Sequence, residues 1–205
     1  MSAAAVTRIA AVQMVSAPEV APNLEAAARL IGVAAQGGAR LVALPEYFCI
    51  LGRRGTDKVD AREADGSGPI QAFLAACAAR HQVWLVGGTV PLACEDPRRV
   101  RSACLVHDAT GRRVARYDKM HLFAFERGAE RYDEAETIEP GALPLAIDSP
   151  FGRLGLSVCY DVRFPELYRR ERDVALWFVP SAFTATTGKD RLIGVASCAY
   201  DSAVR

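Results

Sequence analysis

The sequence predicts a layered fold of the α/β or α+β class, and three observations carry that prediction. Strand-like and helix-like segments alternate from Arg8 to Val90. From Ser102 onward, short apolar runs are separated by turn signals, which reads as successive hairpins. The 205 residues are 51% hydrophobic and 24% charged, enough apolar side chain for one compact domain.

In chain order, residues 8–15 (RIAAVQMV) lack Gly and Pro and suit a buried opening strand. Asn23 is placed to cap a helix whose apolar positions Leu24, Ala27, Ala28, Ile31 and Ala35 keep a 3.6-residue period up to Gly37 and Gly38. Residues 41–44 form a short apolar run stopped by Pro45. A second helix is expected after Pro69, with Ile70, Phe73, Leu74 and Cys77 on its inner face. Residues 83–90 return as a strand with two glycines near its centre, giving βαβαβ. Strand-like runs follow at 103–107, 112–117, 145–147, 154–158 and 174–179, and Pro165 opens a helix between the last two. No internal repeat or linker interrupts the chain, and helices outside a mixed sheet system follow from this order.

Composition narrows the function. Lys and Arg number 25 and Asp and Glu 24, a net charge of +1, so no basic excess exists to neutralise nucleic acid or an anionic membrane. Arginines cluster at Arg98, Arg99 and Arg101 and at Arg169, Arg170 and Arg172, but acidic neighbours make these solvated faces. The N-terminus has no basic region ahead of an apolar one, and no run approaches the ~18 apolar residues of a membrane span. A cytoplasmic protein with a small-molecule or protein partner is expected. Six cysteines without a C-x-x-C pair imply reduced thiols and no zinc or other metal site.

Three residues stand where strands enter loops: Glu46, Lys119 and Cys159. Singly, each has an ordinary structural explanation. Together they make a nucleophilic site. A thiol needs a base to become a thiolate, and a carboxylate sheltered from water gains proton affinity suited to that task. The oxyanion that forms when a thiolate adds to an amide needs donors, for which Lys119 and the backbone N–H of Tyr160 are placed.

The segments around these residues are LPEYF (44–48), YDKMHLF (117–123) and VCYDVRFPEL (158–167). In order, spacing and flanks they resemble the nitrilase superfamily of carbon-nitrogen hydrolases, whose signatures surround a catalytic Glu, Lys and Cys. The resemblance runs from about Arg8 to about Asp190, and its flanks look most like the ω-amidase and deaminated-glutathione amidase branch. It implies a four-layer αββα sandwich, amide hydrolysis of a small carboxylate-bearing substrate, no cofactor, and a homodimer or higher homo-oligomer. It also implies a second glutamate that holds the lysine, placed at Glu134, with Glu126, Glu130 and Glu136 as alternatives. Arg163 suits a substrate carboxylate or a structural ion pair, and Tyr47 and Phe183 are expected to line the pocket.

The domain is expected to span residues 1–190, with residues 191–205 as an atypical tail unlike the long helix and strands that the family continues into. A truncated or frame-shifted product is the corresponding expectation. Competing readings are a nitrilase, carbamoylase or glutaminase with the same three residues, a non-catalytic remnant that keeps the fold, and a Cys-His hydrolase using His81, His107 or His121 as base.

Overall fold

A computed structural model describes residues 6–127, 130–184 and 199–204. The chain begins with strand β1 (Ile9–Ala11), helix α1 (Val20–Gln36) and strand β2 (Leu41–Ala43). A one-turn helix α2 (Asp57–Asp60), helix α3 (Pro69–His81) and strands β3 (Trp84–Val86) and β4 (Val90–Ala93) follow. Strands β5 (Val100–His107) and β6 (Arg113–Asp118) form an antiparallel hairpin. With β1, β2 and β3 mutually parallel and β5 antiparallel to β3, they complete a six-stranded mixed sheet.

The expected strand over residues 83–90 is two strands. β3 pairs with one half of β5 and β4 with the other, and the bend between them falls at Gly87 and Gly88. Gly88 has φ +54, and a Cβ there would overlap the Pro45 carbonyl. A glycine at this point lets the end of β2 lie against the bend.

The opening strand also differs from expectation. β1 pairs only with β2, so it is an edge, and Ile9 is 43% exposed. The apolar run still buries alternate residues, Val12 and Met14. Asn23 lies inside α1 rather than at its cap, which is Glu19. Its buried amide instead accepts from Ala17 N at 2.6 Å and donates to the carbonyls of Ala17 and Cys49 at 2.8 and 3.0 Å, tying the loop after β1 to the loop after β2.

Strands β7 (Ala124–Arg127) and β8 (Glu130–Asp133) form a second hairpin. β9 (Leu145–Ser149) and β10 (Gly152–Leu156) form a third, and β11 (Leu176–Phe178) joins β10 in parallel. Between β10 and β11 lie a 3-10 turn (Cys159–Arg163) and helix α4 (Pro165–Arg170). β12 (Pro180–Thr184) ends the described core and pairs in parallel with β13 (Ala199–Val204). Of the expected tail, 191–198 and 205 lie outside the described residues.

Side-chain alternation sorts these elements into layers. Along β2 and the residue after it, Val42 and Leu44 face α1 and α3, while Leu41 and Ala43 face the second sheet. β5 does the same, with Ala103 and Leu105 toward the helices and Cys104 and Val106 toward Leu154, Leu156 and Phe178. Trp177 points to the opposite face of the second sheet, where it fills the space beside Gly155 and meets the Tyr168 ring of α4 edge-on at 4.7 Å. The order is helix, sheet, sheet, helix, the αββα sandwich of the nitrilase fold. Among the described residues no helix is long and apolar enough to cross a membrane.

Candidate active site

The strand ends that meet between the two sheets carry the three residues singled out from the sequence. Glu46 follows β2, and the neighbouring turn is fixed by Tyr47 N donating to Thr89 Oγ1 at 2.9 Å. Lys119 follows β6, held by its N–H to Ser102 O at 3.0 Å. Cys159 follows β10 with φ 47, and Tyr47 has φ 55. Both are side-chain-bearing residues in left-handed backbone, which costs on the order of 1–2 kcal/mol each and requires the surroundings to hold them.

Lys119 is the centre of a buried charge cluster. Its Nζ lies 2.8 Å from Glu46 Oε1 and 2.8 Å from Glu134 Oε2, and all three side chains are at most 3% exposed. The other oxygen of Glu46 accepts from Ala182 N at 2.9 Å. Glu134 also accepts from Tyr47 OH and Phe123 N, both at 2.7 Å. Of the other glutamates in that segment, Glu126 and Glu136 face outward, and the side chain of Glu130 lies outside the described residues.

Burial and pairing divide the two carboxylates. Burial raises Glu46 above the ordinary carboxylate range, opposed by Lys119 and reinforced by Glu134. Burial acts the same way on Glu134, yet the Lys119 charge and the hydrogen bonds from Lys119, Phe123 and Tyr47 outweigh it and hold it below that range. Burial would lower Lys119, but the two carboxylates overcome it and keep the ammonium charged well above its usual range. One fixed ion pair therefore stands beside one carboxylate with raised proton affinity.

Cys159 is partly exposed, its Sγ 3.7 Å from Ala182 O. Burial, then the Glu46 carboxylate, push its thiol well above the usual value, with Lys119 opposing. The resting group is a thiol with a proton acceptor beside it. Cys49 and Cys104 are pushed by burial to about 12. Ala182 touches both base and thiol through its backbone alone. Among the described residues, Tyr160 N–H has no backbone acceptor outside its own 3-10 turn.

The Cys159 turn is clasped by Asp161, fully buried. Its carboxylate accepts from Val158 N at 2.8 Å, Tyr117 OH at 2.7 Å and His121 N at 2.9 Å, with His121 Nδ1 2.7 Å away. This joins the lysine segment to the cysteine segment, a role the sequence reading missed although both residues sat within its signatures. His121 is further held by stacking on Phe164 at 3.7 Å. His107 is buried at the end of β5 and His81 ends α3, so the structure gathers carboxylates, not imidazoles, around Cys159. Arg163 is exposed and forms no ion pair among the described residues. Tyr47 lies at the site through Glu134. The Phe183 side chain lies outside the described residues.

Comparison with known proteins agrees with this architecture. The sequence pattern of the family described as carbon-nitrogen hydrolase matches residues 8–191. A deaminated glutathione amidase of Synechocystis sp. is 42% identical over 188 residues, 88% of this chain and 68% of that protein. An omega-amidase of Xenopus laevis is 34% identical over 184 residues, 88% of this chain and 65% of that protein. A solved structure of the amidase from Nesterenkonia sp. AN1, showing Michael addition of acrylamide at its active-site cysteine, has a TM-score of 0.74. It is 27% identical and covers 87% of this chain and 68% of that one. The chain thus spans about two thirds of the length of these relatives. Fold, signatures and relatives lead to one conclusion: the chain belongs to the carbon-nitrogen hydrolase family.

Proposed function

We propose that this protein hydrolyses the amide of a small, carboxylate-bearing molecule through a thioester on Cys159. The observation that supports it most is the buried Lys119 held between Glu46 and Glu134 beside a partly exposed thiol. Relatives named as amidases and a related amidase with a modified active-site cysteine support the same reading.

In this reading Glu46 takes the Cys159 proton as the sulfur attacks the amide carbonyl carbon. The carbonyl π electrons move onto oxygen, where Lys119 Nζ and Tyr160 N–H meet the charge. As the tetrahedral intermediate collapses, the C–N bond breaks and Glu46 returns the proton to the departing nitrogen, releasing ammonia or an amine. Water then gives a proton to Glu46 and its oxygen to the thioester carbon. The C–S bond breaks, and the proton returns to sulfur. The acid leaves with the enzyme unchanged. Glu134 holds Lys119 throughout, and its low proton affinity keeps that pair ionised.

Intact-protein mass spectrometry during turnover of a panel of small amides tests this. The expected result is a transient mass increase equal to the acyl group, mapped to Cys159, with ammonia release. Ammonia release without any adduct in wild type, and undiminished by Cys159→Ala, would sink the reading. We also propose a homo-oligomer, as in the sequence reading; the same spectra under native conditions read it, and monomer alone at micromolar concentration would contradict it.

A further inference from the structure

The side chain of Phe123 takes no part in the chemistry above, yet this residue touches both groups that would receive negative charge. It directly precedes β7, and its backbone is joined to Glu134 twice. Phe123 N donates to Glu134 Oε2 at 2.7 Å, and Glu134 N donates to Phe123 O at 3.0 Å. The same carboxylate oxygen lies 2.8 Å from Lys119 Nζ. The Phe123 backbone therefore fixes the carboxylate that holds the lysine.

The ring of Phe123 serves the other side of the site. It meets the Tyr160 ring edge-on at a centroid distance of 5.4 Å, and Phe164 meets Tyr160 in the same manner at 5.5 Å. Phe164 is in turn stacked on His121 at 3.7 Å. Edge-on pairs at these distances are favourable, so Tyr160 is held between two aromatic rings. The peptide that joins Cys159 to Tyr160 carries the N–H assigned above to the oxyanion. It lies between a left-handed residue, Cys159 with φ 47, and a side chain anchored by those rings. Left-handed backbone at a residue with a side chain persists only where its surroundings hold it. Among the described residues, the Phe123 ring belongs to none of the buried apolar clusters, so core packing is not what places it. Its other aromatic neighbours, Tyr132 at 5.9 Å and Phe125 at 6.4 Å, stand on the β7–β8 hairpin.

From this geometry we infer that Phe123 is a positioning residue that sets the Tyr160 N–H against Lys119 Nζ, so that both donors converge on one oxygen. The inference rests on the proposed chemistry for the identity of those donors, but its test needs no amide turnover. The backbone of Phe123 fixes one donor through Glu134, and its ring fixes the other through Tyr160. Replacing the ring leaves the first arm in place and releases the second.

Two thiol reagents differ in whether they need the donors. With acrylamide, the Cys159 proton passes to Glu46, sulfur bonds to the terminal alkene carbon, and the π electrons shift to place charge on the carbonyl oxygen. The proton then goes to the carbon beside the carbonyl and discharges that oxygen. With iodoacetamide, sulfur displaces iodide, the proton passes to Glu46, and no charge builds on the carbonyl oxygen. The ratio of the two rates therefore reports the donors apart from the ease of thiol ionisation. Rates are read by intact-protein mass spectrometry on the whole chain, with adducts mapped to Cys159, in wild type, Phe123→Leu, Phe123→Tyr and Phe125→Leu. Phe123→Leu should lower the acrylamide-to-iodoacetamide ratio about tenfold, as expected for a misplaced donor. Phe123→Tyr should restore most of it, and Phe125→Leu, which removes a neighbouring ring from the same hairpin, should leave it unchanged. An unchanged ratio in Phe123→Leu, an equal fall in Phe125→Leu, or a fall that Phe123→Tyr does not restore overturns the inference. So does a wild type in which iodoacetamide alkylates Cys159 and acrylamide does not. Thermal melting of each variant separates loss of the contact from loss of the fold, and Phe123→Met replaces Phe123→Leu if the latter melts below the assay temperature. A ratio that depends on Phe123, with no ammonia from any amide in wild type, upholds the inference and sinks the amidase reading. Ammonia release with a ratio unmoved by Phe123→Leu does the reverse.

Discussion

Two carboxylates share one ammonium, and the asymmetry between them decides what each can do. Glu134 has Lys119, Tyr47 OH and Phe123 N as donors, so its ionised form is stabilised. Glu46 has Lys119 and one backbone N–H, and burial leaves its proton affinity raised. The base must be ionised to accept the thiol proton, so kcat/KM should fall as pH drops through the Glu46 pKa. That limb should lie above the ordinary 4.5. Glu46→Gln should lower kcat/KM by roughly 10²–10⁴ and remove the limb, as read from a pH-rate profile. A limb at or below the ordinary value, or one that survives Glu46→Gln, would show that another group is the base. Glu46, Lys119 and Cys159 were legible in sequence because each sits in a distinctive signature. Glu134 was one of four glutamates in its stretch, and only burial against Lys119 distinguishes it. Ala182 touches the site through its backbone alone, so it left no pattern of side chains to read.

At the level of elements, the site depends on loops being fastened to one another. Asp161, fully buried, accepts from Val158 N in the Cys159 turn, Tyr117 OH in β6 and His121 N after it, with His121 Nδ1 2.7 Å away. Asp161→Ala would leave Val158 N–H, Tyr117 OH and His121 N–H without acceptors and release the left-handed turn. The expected destabilisation is about 3–5 kcal/mol, read from urea unfolding, with loss of Cys159 alkylation selectivity in the part that remains folded. A change below about 1 kcal/mol would mean that the clasp is dispensable. The long elements of this framework, α1, α3 and the β5–β6 hairpin, were evident from periodicity and turn residues. β7 and β8 were not, since AFER and ERYD carry charges and aromatics without a simple alternation. The split at Gly87 and Gly88 was invisible for a different reason: the sequence shows two glycines, but only the close approach of Pro45 says which way the chain must bend there.

Over the whole molecule, the mixed sheet must satisfy two neighbours, helices on one face and a second sheet on the other, and β5 is apolar on both. That is why Ala103 to Val106 form a continuous buried apolar run, while Arg101 is only half-buried. The strand ends with His107, which is 3% exposed and has no partner for Nδ1 among the described residues. Burial, with Arg113 nearby, lowers it from the ordinary 6.5 to about 4, while Asp108 opposes. Between those values the unfolded chain binds a proton that the folded chain does not. Folding stability therefore rises with pH across the window. The contribution is complete above 6.5 and is lost as pH falls toward 4, amounting to roughly 3 kcal/mol at about 1.4 kcal/mol per tenfold change in proton affinity. Carboxylates also titrate at the acid end, so the informative quantity is the difference between proteins. Urea midpoints of wild type should drop between pH 7 and pH 5 by more than those of His107→Leu, whose buried leucine has no proton to gain. Parallel losses in the two proteins would assign the acid sensitivity to the carboxylates and remove His107 from it. A steeper loss in wild type would place an acid-labile point at the end of the strand that both layers of the sandwich share.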